Sequence, residues 1–341
     1  MQYKRPIRPQ AAALRLPVKP ETYEQIVKSH RTKRLLWDKR AVGRIDRILR
    51  TAAKDTLLKL KEIAGTGSIS EIHKAALLNS LMSTLDTLQA DYATLNELHL
   101  LGAGQIACDR EAAIAGKLFT EADLEDATRG LRPEFTKSAT LTNVGTVEVT
   151  FGQVAESAVN IAFQRIHDDG LSMAERLWKL DSETRRVVGD KVVQAIAQGT
   201  SARDLAKDLR GYLTDSGKGN ARYNSMRLAV TEINNVHREA HIQSCLDANG
   251  NVKEFISGVG WRLSNTHPEP DVCDVYASQD LYGLGRGNYP PGNVPVDHPH
   301  GRCNTTTLLV SEPDMQFVTK EPEPDKVPPA QLKRYGIEAE P

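Results

Sequence analysis

Apolar residues recur three and four positions apart along most of this chain, and the pattern changes only after residue 250. Ile45, Ile48, Leu49, Ala52, Leu57, Leu60 and Ile63 form one stripe, which predicts a helix over 21–64 that Gly65-Thr66-Gly67 stops. Unbroken, that helix would be on the order of 65 Å long. Ser68-Ile69-Ser70-Glu71 fits a capping box and starts a second helix. Leu78, Leu81, Leu85, Leu88, Tyr92 and Leu95 then follow heptad-like spacing. Two long helices joined by a short turn make an antiparallel hairpin. Their stripes pack within the chain or dock on a partner's helices. Gly102-Ala103-Gly104 is expected to interrupt the second helix, leaving a separate one near 105–118.

Beyond a stretch of weak periodicity (120–139), Val144, Val147, Val149 and Phe151 predict a strand or extended connection. Helical spacing returns with Val154, Ala158, Ile161, Ala162 and Ile166. Further helices are predicted at 182–198, from Thr200-Ser201 with Leu205, Leu209 and Leu213 inward, and at 219–247 with Met226, Val230, Ile233, His237 and Ala240 on one side. Asn249-Gly250 carries turn chemistry. Phe255, Val259, Trp261 and Leu263 alternate as a strand does, a Gly/Pro loop spans 283–295, and Thr305, Thr307, Leu308, Leu309 and Val310 read as a closing strand.

The fold class is therefore mainly α, with a long N-terminal helical hairpin and a small α+β C-terminal subdomain. The domain plan is an extended arm (1–20), the hairpin (21–118), a connector (119–152), a C-terminal domain (153–311, with a subdomain at 255–310) and a Pro/Glu-rich tail (312–341).

Charge refines this plan. Net charge is zero, but residues 1–61 carry seventeen Lys/Arg against five Asp/Glu, while residues 311–341 carry seven acidic and four basic residues. Lys4, Arg5, Arg8, Arg31, Lys33, Arg34, Lys39, Arg40, Arg44 and Arg47 are the candidates for contact with DNA or an acidic protein surface. A solvated helix face explains the same charges. No apolar run reaches the roughly 18–20 residues of a membrane span, and no secretory leader is evident. Four cysteines are too few for a disulfide scaffold.

The candidate chemistry lies in Asp297-His298-Pro299-His300-Gly301-Arg302-Cys303, paired with Asp271-Val272-Cys273 upstream. Cys273, Cys303, His298 and either His300 or His267 offer the four thiolate and imidazole ligands that a structural zinc takes. A disulfide, buried thiols, or histidines that merely hold a turn fit the same residues. Asp297-His298 faintly matches the start of a metal-dependent nuclease motif, but no histidine follows His300. His237 and His241, with Glu239 between them, lack the H-E-x-x-H order of zinc proteases. No catalytic residues are assigned, and no cofactor is expected beyond the zinc.

The order Arg227-Leu228-Ala229-Val230-Thr231-Glu232, then Trp261, Cys273 and His298-Pro299…Arg302-Cys303 resembles the head-morphogenesis domain of phage minor head proteins, of the kind found in phage Mu. Trp178 and Gly199-Thr200-Ser201 resemble that family's lead-in. The likeness covers roughly residues 150–311. In the family pattern Arg227, Thr231, Glu232, Trp261, Pro299 and Arg302 hold structural motif positions; for Arg227, Thr231 and Glu232 helix pairing or a buried polar contact to the subdomain is the expected role. Two positions depart from it: Tyr276 and Gly301 stand where cysteines are expected. The resemblance implies a non-enzymatic virion protein of a tailed bacteriophage, made in the host cytoplasm. It would associate with the portal vertex and other capsid proteins during procapsid assembly, and affect DNA packaging or ejection. An internal DNA-binding virion protein is the alternative, a metal-dependent nuclease a more distant one.

Overall fold

The computed structural model describes residues 20–65, 69–118, 154, 157–161, 172–247, 250–253, 256–265, 267, 269–298, 301–310 and 320–337. The arm to residue 19, the connector over 119–152, Pro299 and His300 lie outside them, as does most of the helix expected from 153. The long helices are α1 (Pro20–Ala64), α2 (Glu71–Leu118), α3 (Met173–Ala197), α4 (Ala202–Thr214) and α5 (Ala221–Ser244). Strand β1 (Ile256–Arg262), helix α6 (Val272–Ser278), strands β2 (Asn288–Tyr289) and β3 (Asn304–Leu309) and helix α7 (Pro329–Arg334) follow. No helix among the described residues is long and apolar enough to cross a membrane.

The chain divides into two compact units, each assembled from separate stretches. One comprises residues 36–100 and 162–233. Both N-terminal stripes are spent here, inside the chain. Ile45, Leu49, Leu60, Leu81, Leu85 and Leu88 are buried in one cluster with Val188, Val192, Leu205, Leu209 and Leu213. Ile48, Leu57, Ile63, Leu78 and Tyr92 pack against it. The pairing of α1 with α2 is antiparallel: Lys59 reaches the Ser80 carbonyl, and Trp37 donates from Nε1 to the His99 carbonyl at 2.9 Å. Burial of a leucine side chain is worth roughly 1.5–3 kcal/mol, so this shared cluster dominates the unit's stability.

The other unit comprises residues up to 35, 101–161 and from 234 onward. Its three-stranded antiparallel sheet has the order β2-β1-β3. Val259 pairs with both Tyr289 and Thr307, and Trp261 pairs with Thr305.

Several local expectations needed correction. Helix α2 runs unbroken through Gly102-Ala103-Gly104. A helical glycine costs only about 1 kcal/mol relative to alanine, less than the packing of Ala103 and Ala107, both fully buried, returns. Helix α2 begins at Glu71, later than the Ser68 box implied. At its start the Ser70 backbone N–H donates to His73 Nδ1 at 3.3 Å, the return bond usually made to Glu. Helix α3 starts at Met173, well before residue 182, because Ser172 and Glu175 form a reciprocal capping box. The Gly/Pro loop contains β2, and the tail is partly ordered, with α7 and a short 3-10 turn at Pro324–Lys326.

Candidate metal centre in the C-terminal module

Local sequence builds this site on three supports. Asp271 caps α6 by accepting from the Cys273 N–H at 2.8 Å, and Asp274 bonds back to the Asp271 N–H at 2.9 Å. That reciprocal box fixes Cys273 on the first turn of α6. Cys303 immediately precedes β3, so pairing of β3 with β1 sets its position. Asp297 and His298 lie on the loop between.

The Asp297 carboxylate is buried and crowded with donors. It accepts from Asn234 Nδ2 at 2.5 Å, from the His298 N–H at 2.9 Å and from the Cys273 thiol at 3.4 Å. Gly301 makes room for it, since a Cβ there would collide with that carboxylate. One of the two positions where the family pattern expects cysteine thus holds a glycine whose side-chain space an aspartate fills. The other, Tyr276, packs edge-on to buried Trp261, ring centroids 5.5 Å apart. Arg238 lies 5.8 Å from the Trp261 ring on a cation–π contact.

His267 bridges the cluster. Its Nε2 lies 2.8 Å from Asp274 Oδ2, and its Nδ1 lies 3.9 Å from Cys303 Sγ. The Cys273 hydrogen bond, followed by His267, draws the Cys303 thiol down to about 6, against the opposing effect of burial. The Cys303 bond, with Asp274 behind it, raises His267 to about 9. Both shifts run in the direction that favours a Cys303 thiolate paired with a protonated His267. Burial pushes Cys273 far up, so it stays a thiol. It also raises Asp297. Burial raises Asp271 as well, but His298 at 2.8 Å, the Cys273 N–H and His267 together outweigh it and bring the net value down.

The structure gathers Cys273, Cys303, His298 and His267 into one neighbourhood. It adds Asp271, Asp274 and Asp297, which sequence reasoning passed over as potential ligands. The capping spacing Asp271-x-x-Asp274 was the available signal for two of them; only folding shows that Asp297 turns inward.

Two ligand groupings overlap. Asp271, Cys273 and His298 offer atoms within 4.8 Å of one another, as do His267, Asp271 and Asp274. The Cys273–Asp297 and Cys303–His267 separations are near the about 3.6 Å expected between tetrahedral ligands at zinc distances. Zinc favours thiolate and imidazole, so the grouping with Cys273 and His298 suits it better than the carboxylate-rich one. Both thiols are buried free cysteines. That suits a closed structural site more than a nucleophile that must meet a substrate.

The surrounding shell is polar. Arg34, only 1% exposed, donates to Asn234 Oδ1 at 2.7 Å and to the Arg302 carbonyl at 3.0 Å. It is therefore a support for the 301–303 turn, not the surface contact its place in the basic run suggested. Arg302 itself is exposed and contributes its backbone. The tail also closes on the site: Lys320 Nζ donates to the His267 carbonyl at 3.0 Å and the Glu323 N–H to Asp274 Oδ1 at 2.9 Å.

The remaining predicted residues separate. Thr231 donates to the Arg227 carbonyl at 2.7 Å, and fully buried Glu232 pairs with Arg176 at 3.1 Å. Lys33, Lys39, Arg40, Arg44 and Arg47 are exposed on α1, whereas Arg31 is half-buried. Lys4, Arg5 and Arg8 lie outside the described residues.

Comparison with protein-family models, with curated proteins and with solved structures returned no match.

Proposed function

We propose that this chain is a minor head protein of a tailed bacteriophage, acting at the portal vertex during head assembly, with a C-terminal module clamped by one structural zinc. The observation that supports this reading most is the meeting of Trp261, Cys273, His298 and Cys303, far apart in sequence, in one small module. These are the residues that carry the resemblance. The clamp would join α6 to the start of β3 and stabilise a module whose apolar cluster is small: Trp261, Leu263, Tyr289 and the two cysteines. Asp271, Cys273 and His298 would hold the ion, with Cys303, in the same buried cluster as Cys273, as the fourth ligand.

Mass spectrometry of purified particles and procapsids from the source lysate tests the assembly role. A few copies per portal vertex are expected in both; absence from both would overturn it. Metal analysis of the purified chain tests the clamp. About one zinc per chain is expected, lost in Cys273→Ser, and a metal-free yet fully stable protein would sink it.

A second reading, DNA binding, is favoured by the exposed row Lys39, Arg40, Arg44 and Arg47 on α1. It requires affinity that falls steeply with salt, and no binding at low salt would dispose of it. Metal-stimulated cleavage abolished by His298→Ala would instead favour the nuclease reading.

A further inference from the structure

The C-terminal unit contains a small pocket away from the cysteine cluster, lined by Val27, Arg31, Arg110, His237, Arg262, Asn304 and Thr306. Three of the seven are arginines, and no carboxylate lines it among the described residues. The balance of charge around it is incomplete. Arg110 has a counter-ion in Glu111, at 2.8 Å. Arg262 has none among the described residues, where its guanidinium donates to the Trp261 and Gly287 carbonyls and to Asn288 Oδ1, at 2.8, 3.2 and 2.8 Å. The strand accommodates it through Gly260, where a Cβ would strike the guanidinium. Arg31 donates to Ser264 Oγ at 3.4 Å and likewise lacks an acidic partner among the described residues.

Three donors on the lining residues are buried without any acceptor: Arg110 Nη2, Arg262 Nε and Thr306 Oγ1. Arg110, Arg262 and Thr306 are 4%, 5% and 2% exposed. A buried polar group left unpaired costs on the order of 1–3 kcal/mol, and a buried uncompensated charge more. His237 does not supply the missing acceptor charge. Burial, with Arg34 and Arg110 near it, holds it far below its usual range and hence neutral.

Buried donors and three arginines, answered among the described residues by Glu111 alone, call for an anion. The enclosed space is about 10 Å³, close to that of one water molecule. A tetrahedral oxyanion would not fit inside it, whereas a monatomic ion nearly does. A water molecule could fill the space but would bring no negative charge for Arg262.

We propose that this pocket binds a chloride-sized monatomic anion, held by Arg110, Arg262 and Thr306, with Arg31 at its partly exposed side. The site would lock the β1–β3 pair to the 101–118 part of α2. It is independent of the zinc clamp and of the virion reading.

The test uses the full chain. Crystals soaked in bromide should show an anomalous peak within hydrogen-bonding distance of Arg110 Nη2 and Arg262 Nε. Chloride titrated against gluconate at constant ionic strength should raise the Tm saturably by a few degrees. That rise should vanish in Thr306→Val and Arg31→Gln, both checked as folded by circular dichroism. An ordered water with no bromide signal, together with equal Tm in both salts, would overturn the proposal. A saturable shift given by inorganic phosphate but not by chloride would overturn the monatomic assignment.

Discussion

The two units solve the same problem of burial in opposite ways. The unit of 36–100 and 162–233 buries a continuous apolar cluster from α1, α2, α3, α4 and α5. Among the described residues few large polar side chains are buried with it: Asp38, Asn96, His99 and Glu232. The other unit buries the α5 segment from Asn234 to His241 nearly whole, although it contains Asn234, Asn235, His237, Arg238, Glu239 and His241. Here Glu111 accepts from Arg110 at 2.8 Å and Thr307 at 2.6 Å, while His241 meets Thr305 and Thr307 at 2.5 and 2.9 Å. Burial holds His241 at about 3, so it is neutral near pH 7. Its 3.5 Å approach to Glu111 is then no ion pair, and Arg110 supplies the counter-charge. An apolar core tolerates many sequences of similar volume. A buried polar network succeeds only when nearly every donor finds its acceptor. The second unit is therefore the one more sensitive to a single polar change.

The largest expected effect tests that directly. Glu111→Gln leaves Arg110 buried without its counter-ion and should cost about 3–5 kcal/mol in denaturant unfolding. A loss below about 1 kcal/mol would mean the network is not what holds the unit. In the apolar unit, Leu209→Ala should cost about 2–5 kcal/mol, with the spread set by how far the cavity collapses. Hydrogen exchange should locate that loss in 36–100 and 162–233, and equal loss of protection in both units would erase the contrast.

Acid should separate the units next. His237 and His241 are held below their unfolded value, so the unfolded chain takes up protons first. Their contribution is complete above about pH 6.5 and is lost as pH falls, for His241 toward about 3. For His241 the loss runs at about 1.4 kcal/mol per pH unit in that range. Among the described residues the apolar unit has one comparable group, His99, lowered to about 4 chiefly by burial. Exchange protection followed from pH 7 to pH 4 should therefore fall first in the polar unit, and the reverse order would contradict this account.

Gly301→Ala should cost about 1–3 kcal/mol, because Asp297 must leave its place. Adding Asp297→Ala should recover part of that in a double-mutant cycle, and purely additive losses would separate the two residues. The smallest effect is Ser172→Ala, which removes the α3 cap for about 1 kcal/mol and should leave the polar unit's exchange unchanged.

Legibility in the sequence followed the same division. The stripes over 45–63 and 78–95 located the apolar core because a helix repeats every 3.6 residues whatever packs against it. Leu205, Leu209 and Leu213 were readable for the same reason. Ser172-x-x-Glu175 and Asp271-x-x-Asp274 were also present as capping signals, though they went unread. The polar α5 segment gave no such signal: a run of Asn, His, Arg and Glu looks like a solvated face, and Arg34 looks like part of a basic surface.

The sequence by itself determined the helices, their caps, the switch to strands after residue 250 and the presence of cysteines and histidines at both ends of one segment. These follow from interactions between residues a few positions apart. Only the tertiary structure decided that α5 is buried, that Arg34 supports the 301–303 turn, that Asp297 fills the space beside Gly301 and that Arg262 lacks a counter-ion among the described residues. Each of these depends on which hydrogen-bond partner arrives from distant sequence, and no local period records that.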